Sequence, residues 1–298
     1  MNIITNKSIV HIGLQKTGST YLQKNVFRGI CENLGYTYVN DSECFQKIKT
    51  ACVIYDRQNN EALSSQLKSH ARYLLSYEGL VGNLPDCWEM NAKLIKDIFG
   101  DVAVLVTVRD PYQYLSSLFL QKVKEGQFLY EDEFLGIGYR ILSLGYCKRA
   151  FSIMDFDYSK LKNIYESTFE EVHFVPFDDL IKSEVSINGK TLEFESQRAA
   201  NKSLSTTSVN LIRFVGNRFP RLSRVFNENM NFDDFIRLRD SDAEIWSKPR
   251  LSYSLFTRRF IDKFFKRAPY TPNFNFTPDQ IEHLDRQQEV YRSLLETN

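Results

Sequence analysis

The sequence predicts an α/β fold: a three-layer sandwich with a central, mostly parallel sheet flanked by helices. Three observations carry that prediction. The apolar segment Ser8-Ile9-Val10 runs into a glycine-bearing loop and then a helical segment. Further on, Val102-Ala103-Val104-Leu105-Val106-Thr107-Val108 is a nearly continuous β-branched and apolar run. A strand buried on both faces reads this way, and such strands belong to parallel sheets. Around these runs, strand-like and helix-like segments alternate, the pattern of a doubly wound sheet.

In chain order, the first strand leads through residues 11–20 to the helical segment Tyr21-Leu22-Gln23-Lys24-Asn25-Val26-Phe27. Ala71 to Tyr77 reads as a second strand, ending at Glu78-Gly79. Asn91 to Phe99 has helical spacing, and Gly100 is placed as its C-cap before the Val102 strand. Tyr112 to Lys124 is a helix, with Pro111 in the first turn, where its missing N–H costs nothing. Leu161 to Phe169 is helical, Val172 to Phe177 a further strand, and Asp178-Asp179-Leu180 opens another helix. Thr277-Pro278-Asp279-Gln280 opens a capped terminal helix with Pro at its first position, a packing element without chemistry. The expected organisation is one domain over residues 1–298, with a helical insertion around 206–270.

Composition narrows the function classes. The chain has 298 residues, enough to bury a full core. Lys and Arg number 38 against 37 Asp and Glu, a net charge of +1, so a broad nucleic-acid-binding surface is not expected. No apolar stretch approaches the roughly eighteen residues that span a bilayer, and the first residues lack a signal-peptide apolar core. The expectation is a cytoplasmic, bacterial-type protein, or one from which an N-terminal anchor has been removed. The five cysteines form no C-x-x-C pair and the four histidines no metal-ligand spacing, so neither a disulfide framework nor a metal is expected. Residues 255–267 mix Phe256, Phe260, Ile261, Phe264 and Phe265 with Arg258, Arg259, Lys263, Lys266 and Arg267. They read as a core-facing aromatic stripe with a wet basic face, or as a helix in peripheral contact with an anionic inner membrane face.

The loop His11-Ile12-Gly13-Leu14-Gln15-Lys16-Thr17-Gly18-Ser19-Thr20 has the strand–loop–helix setting in which backbone N–H groups and a helix N-terminus hold a phosphate. The nucleoside-triphosphate form of such a loop is G-x-x-x-x-G-K-[ST]. Gly13, Gly18 and Thr20 keep that frame, but Ser19 stands at the lysine position and the lysine lies upstream, at Lys16. This argues against an ordinary ATPase and for another phosphate-bearing donor. A second motif, Arg109-Asp110-Pro111, ends the Val102 strand and opens a helix carrying Ser116 and Ser117. A guanidinium fork matches a phosphate bidentately and a hydroxyl adds one more bond. The alternative reading of Arg109 is a surface ion pair with Asp110 or another carboxylate.

Lys16-Thr17-Gly18-Ser19-Thr20 resembles the 5′-phosphosulfate loop of sulfotransferases that use 3′-phosphoadenylyl sulfate (PAPS). The strand–Arg-x-Pro–helix–Ser element resembles the one with which that family binds the nucleotide 3′-phosphate. Arg109 and Ser117 have its spacing, with Ser116 as the neighbouring fallback. The resemblance also covers the strand and acidic-leucine turn at 172–180 and the stretch Asn201-Lys202-Ser203-Leu204-Ser205. It implies a P-loop nucleoside-triphosphate-hydrolase-like fold, PAPS as donor, PAP as product and no metal. It further implies that Gln15, Lys16, Thr17, Gly18, Ser19, Thr20, Arg109 and Ser117 hold the donor, and that Lys16 also stabilises the leaving phosphate oxygen.

The acceptor hydroxyl needs a base. Golgi carbohydrate sulfotransferases commonly use a glutamate near a strand end, where Glu78 stands. His70 is the runner-up but precedes its strand, and His11 reads as packed. Arg198 and Lys202 are placed to close over the donor phosphates, and residues 221–250 read as an acceptor-side lid or as a solvated helix pair. Gln15 replaces the family's common proline, Tyr21 a frequent tryptophan or serine-type residue, and the cytosolic family's C-terminal Arg-Lys-Gly signature is missing. These departures set the chain apart from the cytosolic phenol and steroid enzymes, while the glutamate base and the bacterial-type Asn201-Lys202-Ser203 element favour a carbohydrate acceptor, such as a polysaccharide, lipopolysaccharide or glycolipid. Two other readings stay open: an ATP-dependent P-loop phosphotransferase, and a non-catalytic relative that binds PAP or a glycan.

Overall fold

The apolar runs form a five-stranded, all-parallel sheet. Its strands are β2 (Ile9–Gly13), β3 (Thr37–Tyr38), β4 (Tyr73–Ser76), β5 (Ala103–Val108) and β6 (Glu171–Pro176), in the order β3-β4-β2-β5-β6. The computed structural model describes residues 2, 3, 5–14, 16, 17, 19–54, 60–81, 85–125, 130–135, 153–177, 184–193, 204–218 and 269–296. Every residue of β2, β4 and β5 is buried, which is why these strands are apolar without alternation. In register, His11 stands beside Ser76 on one side and Leu105 on the other, and Gly13 beside Thr107.

The chain divides into two compact units, Met1–Tyr114 with Asp157–Ala200 and Leu284–Asn298, and Leu115–Phe156 with Asn201–His283. The sheet lies in the first. Helices flank it. A short α1 (Ser19–Tyr21) passes into a π-helical turn (Leu22–Val26) and then α2 (Phe27–Leu34). That helix outlasts the sequence expectation by about two turns, stopping where Gly35 takes the left-handed conformation at φ 73°. Phe27 and Ile30 pack with Ile9, Leu74 and Leu105 in one core cluster. The remaining flanking helices are α3 (Glu43–Ile54), α4 (Asn60–Lys68), α5 (Trp88–Phe99) and, beyond α6 (Pro111–Glu125) and α7 (Glu131–Leu135), α8 (Tyr158–Thr168). α5 packs against both α4 and α8. The connection leaving β2 leads one way along the sheet and those leaving β4 and β5 the other, so right-handed crossovers put α2 on one face and α5 and α8 on the opposite one.

Gly100 caps α5 as expected, its N–H reaching Lys96 O at 2.9 Å. A second, small sheet joins β1 (Asn2–Ile3) in parallel to the hairpin β7 (Glu184–Ile187)–β8 (Lys190–Glu193). The sequence expectation lacks this hairpin, although Asn188-Gly189, both at positive φ (54° and 75°), is the strongest short hairpin signal a sequence offers.

In the second unit, Ser205 Oγ accepts from Ser208 N at 3.1 Å and so caps α9 (Thr206–Arg218). Arg213 pairs with Glu131 at 2.8 Å and lies over the Tyr130 and Tyr270 rings. Phe134 and Phe274 meet the Phe119 ring at 5.5 and 5.7 Å. The terminal helix α10 (Pro278–Glu296) starts with a reciprocal box: Thr277 N donates to Gln280 Oε1 and Gln280 N to Thr277 Oγ1. Farther along, in the first unit, Gln287 Oε1 takes the first N–H of α8 from Tyr158 at 2.8 Å.

A side chain at position 13 has no room. A Cβ built there lies 2.0 Å from Thr107 Oγ1 and 2.7 Å from Thr17 Oγ1. Gly13→Ala is therefore expected to cost about 1–3 kcal/mol or more through overpacking, read as a lowered denaturant midpoint. A midpoint equal to the parent protein's would refute the close approach.

Candidate functional site

Topology alone names the place to look. Open parallel sheets bind ligands beyond the carboxyl ends of adjacent strands whose connections depart in opposite directions. β2 connects to β3 on one side, and β5 to β6 on the other. The switch point is the gap between the ends of β2 and β5, bounded by Gly13-Leu14 and Val108-Arg109.

Two motifs far apart in the chain meet there. Arg109 Nη1 donates to the carbonyl of Lys16 at 3.1 Å. Its guanidinium also stands over the Phe177 ring, 4.8 Å from the centroid. Arg109's own backbone is held in turn, since the buried Tyr158 hydroxyl donates to its carbonyl and accepts from its N–H. Burial pushes the Tyr158 phenol well above its usual range, so it stays a neutral hydrogen-bonding group. Asp110 caps α6, accepting from Gln113 N at 3.0 Å, and its other oxygen accepts from Gln288 Nε2 at 2.5 Å.

Lys16 sits at φ 69°, one of two non-glycine residues at positive φ among the described residues. Such backbone costs on the order of 1–3 kcal/mol and concentrates at functional sites. Its neighbour Thr17 is fully buried, and its hydroxyl is engaged by the loop itself: Thr17 Oγ1 donates to Leu14 O at 2.6 Å and lies 2.7 Å from Thr107 Oγ1. What Thr17 offers a ligand is thus its backbone. Ser19 differs. It opens α1, is only 3% exposed, and its hydroxyl has no hydrogen-bond partner among the described residues. A buried orphan hydroxyl costs about 1–3 kcal/mol, a cost that a bound acceptor would remove. Thr20 follows in α1, while Gln15 and Gly18 lie outside the described residues.

Glu78 begins the 3₁₀ turn Glu78–Leu80 beyond β4, half-buried. Tyr77 N, just before it, donates to His11 O at 3.0 Å, so the turn is tied to β2 at the same carboxyl edge as the loop. His70 precedes β4 and stands at the opposite edge. Ser116 and Ser117 are half-buried on the part of α6 that belongs to the second unit. Arg198, Lys202 and residues 221–250 and 255–267 lie outside the described residues.

Sequence reasoning passes over three residues that the structure brings in. Asn40 pairs with Ser76 as a strand would, accepting from its N–H at 2.8 Å and donating to its carbonyl at 2.6 Å. Gln23 Nε2 reaches the same carbonyl at 2.9 Å. Thr107 meets Thr17 and His11. Only Thr107 carries a sequence signal, as the hydroxyl in an otherwise aliphatic strand. Among the described residues no group of three or more His, Cys, Asp or Glu side chains assembles that could hold a metal ion, and no helix is long and apolar enough to cross a membrane.

No family model, curated protein or solved structure matches the chain.

His11, fully buried, has its pKa lowered to about 3 by desolvation, against about 6.5 in an unfolded chain. The unfolded state therefore binds a proton that the folded state refuses across that window. Stability falls as pH drops below about 6.5, at up to about 1.4 kcal/mol per pH unit from this one group. His11→Gln should flatten that slope in urea titrations between pH 7.5 and 5; an unchanged slope would assign the acid sensitivity elsewhere.

Proposed function

We propose that the chain is a sulfotransferase of P-loop-like fold that moves the sulfuryl group of PAPS to an acceptor hydroxyl, with PAP as the product. One observation carries this reading. The Arg109 side chain lies on the carbonyl of Lys16 at 3.1 Å, so the two motifs converge at the switch point of the sheet. The serine at position 19, where a triphosphate loop carries lysine, favours this donor over ATP. Its buried, orphan hydroxyl supports a phosphate oxygen beside it.

In the reaction, the acceptor oxygen attacks sulfur while the bond from sulfur to the 5′-phosphate oxygen breaks. The acceptor proton passes to the Glu78 carboxylate, and the leaving phosphate oxygen takes the bonding electron pair. Lys16 offsets the charge growing on that oxygen, and the N–H groups of the loop hold the phosphate. Arg109 binds the 3′-phosphate. Most of the catalysis is then positioning and electrostatics, as in phosphoryl transfer. A carboxylate base at a strand end favours a carbohydrate acceptor, on resemblance alone.

Calorimetric titration with PAP, with ATP–Mg²⁺ as competitor, tests the donor. Micromolar PAP binding is expected, weakened about 10- to 100-fold in Arg109→Ala, the size of a lost charge-assisted bond. Preference for ATP–Mg²⁺ would instead place the chain among phosphotransferases. With labelled PAPS and a glycan panel, Glu78→Gln should lower transfer about 10²- to 10⁴-fold and leave PAP affinity intact. Undiminished transfer would remove Glu78 as the base.

A further inference from the structure

Beneath the loop runs a line of polar side chains that the proposed chemistry does not use. Gln23 Nε2 lies 3.2 Å from Ser76 Oγ, which lies 2.7 Å from His11 Nδ1. His11 Nε2 lies 3.3 Å from Thr107 Oγ1, and Thr107 Oγ1 lies 2.7 Å from Thr17 Oγ1. All but Gln23 are fully buried, and the imidazole packs against the Phe27 ring at 4.8 Å.

Counting protons gives this line a direction. A carbonyl only accepts, so Thr17 spends its single hydroxyl proton on Leu14 O at 2.6 Å. The 2.7 Å contact between the two threonines then requires the proton of Thr107, whose other acceptor, Ile12 O, is farther away at 3.4 Å. With that proton spent, Thr107 accepts from His11, whose Nε2 therefore carries the hydrogen. Nδ1 is left with a lone pair, which takes the Ser76 hydroxyl proton, and Ser76 Oγ accepts from Gln23. Each group donates once along the line. With Nδ1 protonated instead, the bare Nε2 would face a lone pair of Thr107 Oγ1, whose proton is already spent on Thr17.

We propose that His11 is a positioning residue: carrying its proton on Nε2, it fixes the phosphate loop through Thr107 and Thr17, and the Glu78 end of β4 through Ser76. This rests on the donor reading above. It makes the loop and the base one unit, with its register set by a side chain that touches neither substrate. The two nitrogens have separate duties, so they can be separated. A glutamine at position 11 reproduces the Nε2 donor, and an asparagine reproduces the Nδ1 position.

The experiment has two arms. In protein with ¹⁵N-labelled histidine, the His11 ring is expected as the Nε2–H tautomer. In calorimetry, His11→Gln should keep PAP affinity within about twofold and His11→Asn should lose about tenfold, one hydrogen bond's worth. Thr107→Ala, which cuts the line on the loop side, should lose a similar amount and replaces His11→Asn if that variant does not fold. The Nδ1–H tautomer, or equal PAP affinity in all variants, overturns the inference while wild-type PAP binding preserves the donor reading. If the wild-type protein does not bind PAP, the donor reading falls. The positioning role is then judged by the Lys16 and Thr17 amide resonances, displaced in His11→Asn but not His11→Gln if it holds, and unmoved in both if it does not.

Discussion

One missing side chain sets the carboxyl edge of the sheet. Because position 13 has no Cβ, the Thr107 hydroxyl enters the space that a side chain on β2 would fill. From there it reaches Thr17, and Thr17 holds the carbonyl of Leu14. The chain between them is thereby bent tightly enough to put Lys16 in the left-handed region. Arg109, two residues beyond Thr107 on the same strand, meets the carbonyl that this bend exposes. The strained backbone is held by buried polar contacts on both sides, the condition under which strain persists in a folded protein. A looser approach of β2 and β5 would release these contacts together.

The arrangement also divides labour among the polar groups. Thr17, Thr107, His11, Ser76, Gln23 and Asn40 bond to one another and to the backbone. Lys16, Ser19, Glu78 and Arg109 stand at the open edge above them. Buried polar networks rigidify a site only when each member is satisfied, because low dielectric penalises a group left without a partner. Here the first set meets that condition along its length, whereas the buried Ser19 hydroxyl lacks a hydrogen-bond partner among the described residues, one that a ligand oxygen would supply.

Much of this was legible in the sequence because burial on both faces forces apolar runs. The Val102 run became β5, and the segment after Arg109-Asp110-Pro111 became α6 with Asp110 as its cap. The terminal capping box reads directly from Thr277-Pro278-Asp279-Gln280. Other elements leave weaker traces. β3 is two residues long, too short for any periodicity to register, and Asn40 extends its pairing with a side chain instead of a backbone. α3 and α4 mix polar and apolar residues without a strong stripe. The β7–β8 hairpin was visible in Asn188-Gly189, but strands this short are easily read as loop. The gathering of Gln23, Asn40 and Ser76 at one strand end depends on tertiary contacts that no local pattern encodes. Likewise, Arg109-Asp110-Pro111 marked a strand end and a helix start, whereas the hydrogen bond from Arg109 to the Lys16 carbonyl emerges only from strand order.

The π-helical turn Leu22–Val26 has a further consequence. Phe27 N closes a ring to Leu22 O, so this helix spends one residue more per turn than its neighbours do. Each residue of an α-helix advances about 100° around the axis. The extra one rotates the loop-bearing end, with Ser19, relative to the core-facing Phe27 and Ile30 by roughly that angle. A single-residue deletion between Gln23 and Asn25 would restore a regular helix, yet it would swing Ser19 off the switch point or Phe27 out of the core. The segment is therefore intolerant to changes in length even where it tolerates changes in side chain. Among diverged copies of this chain, residue count between the loop and Phe27 would be a stricter marker of a preserved site than residue identity.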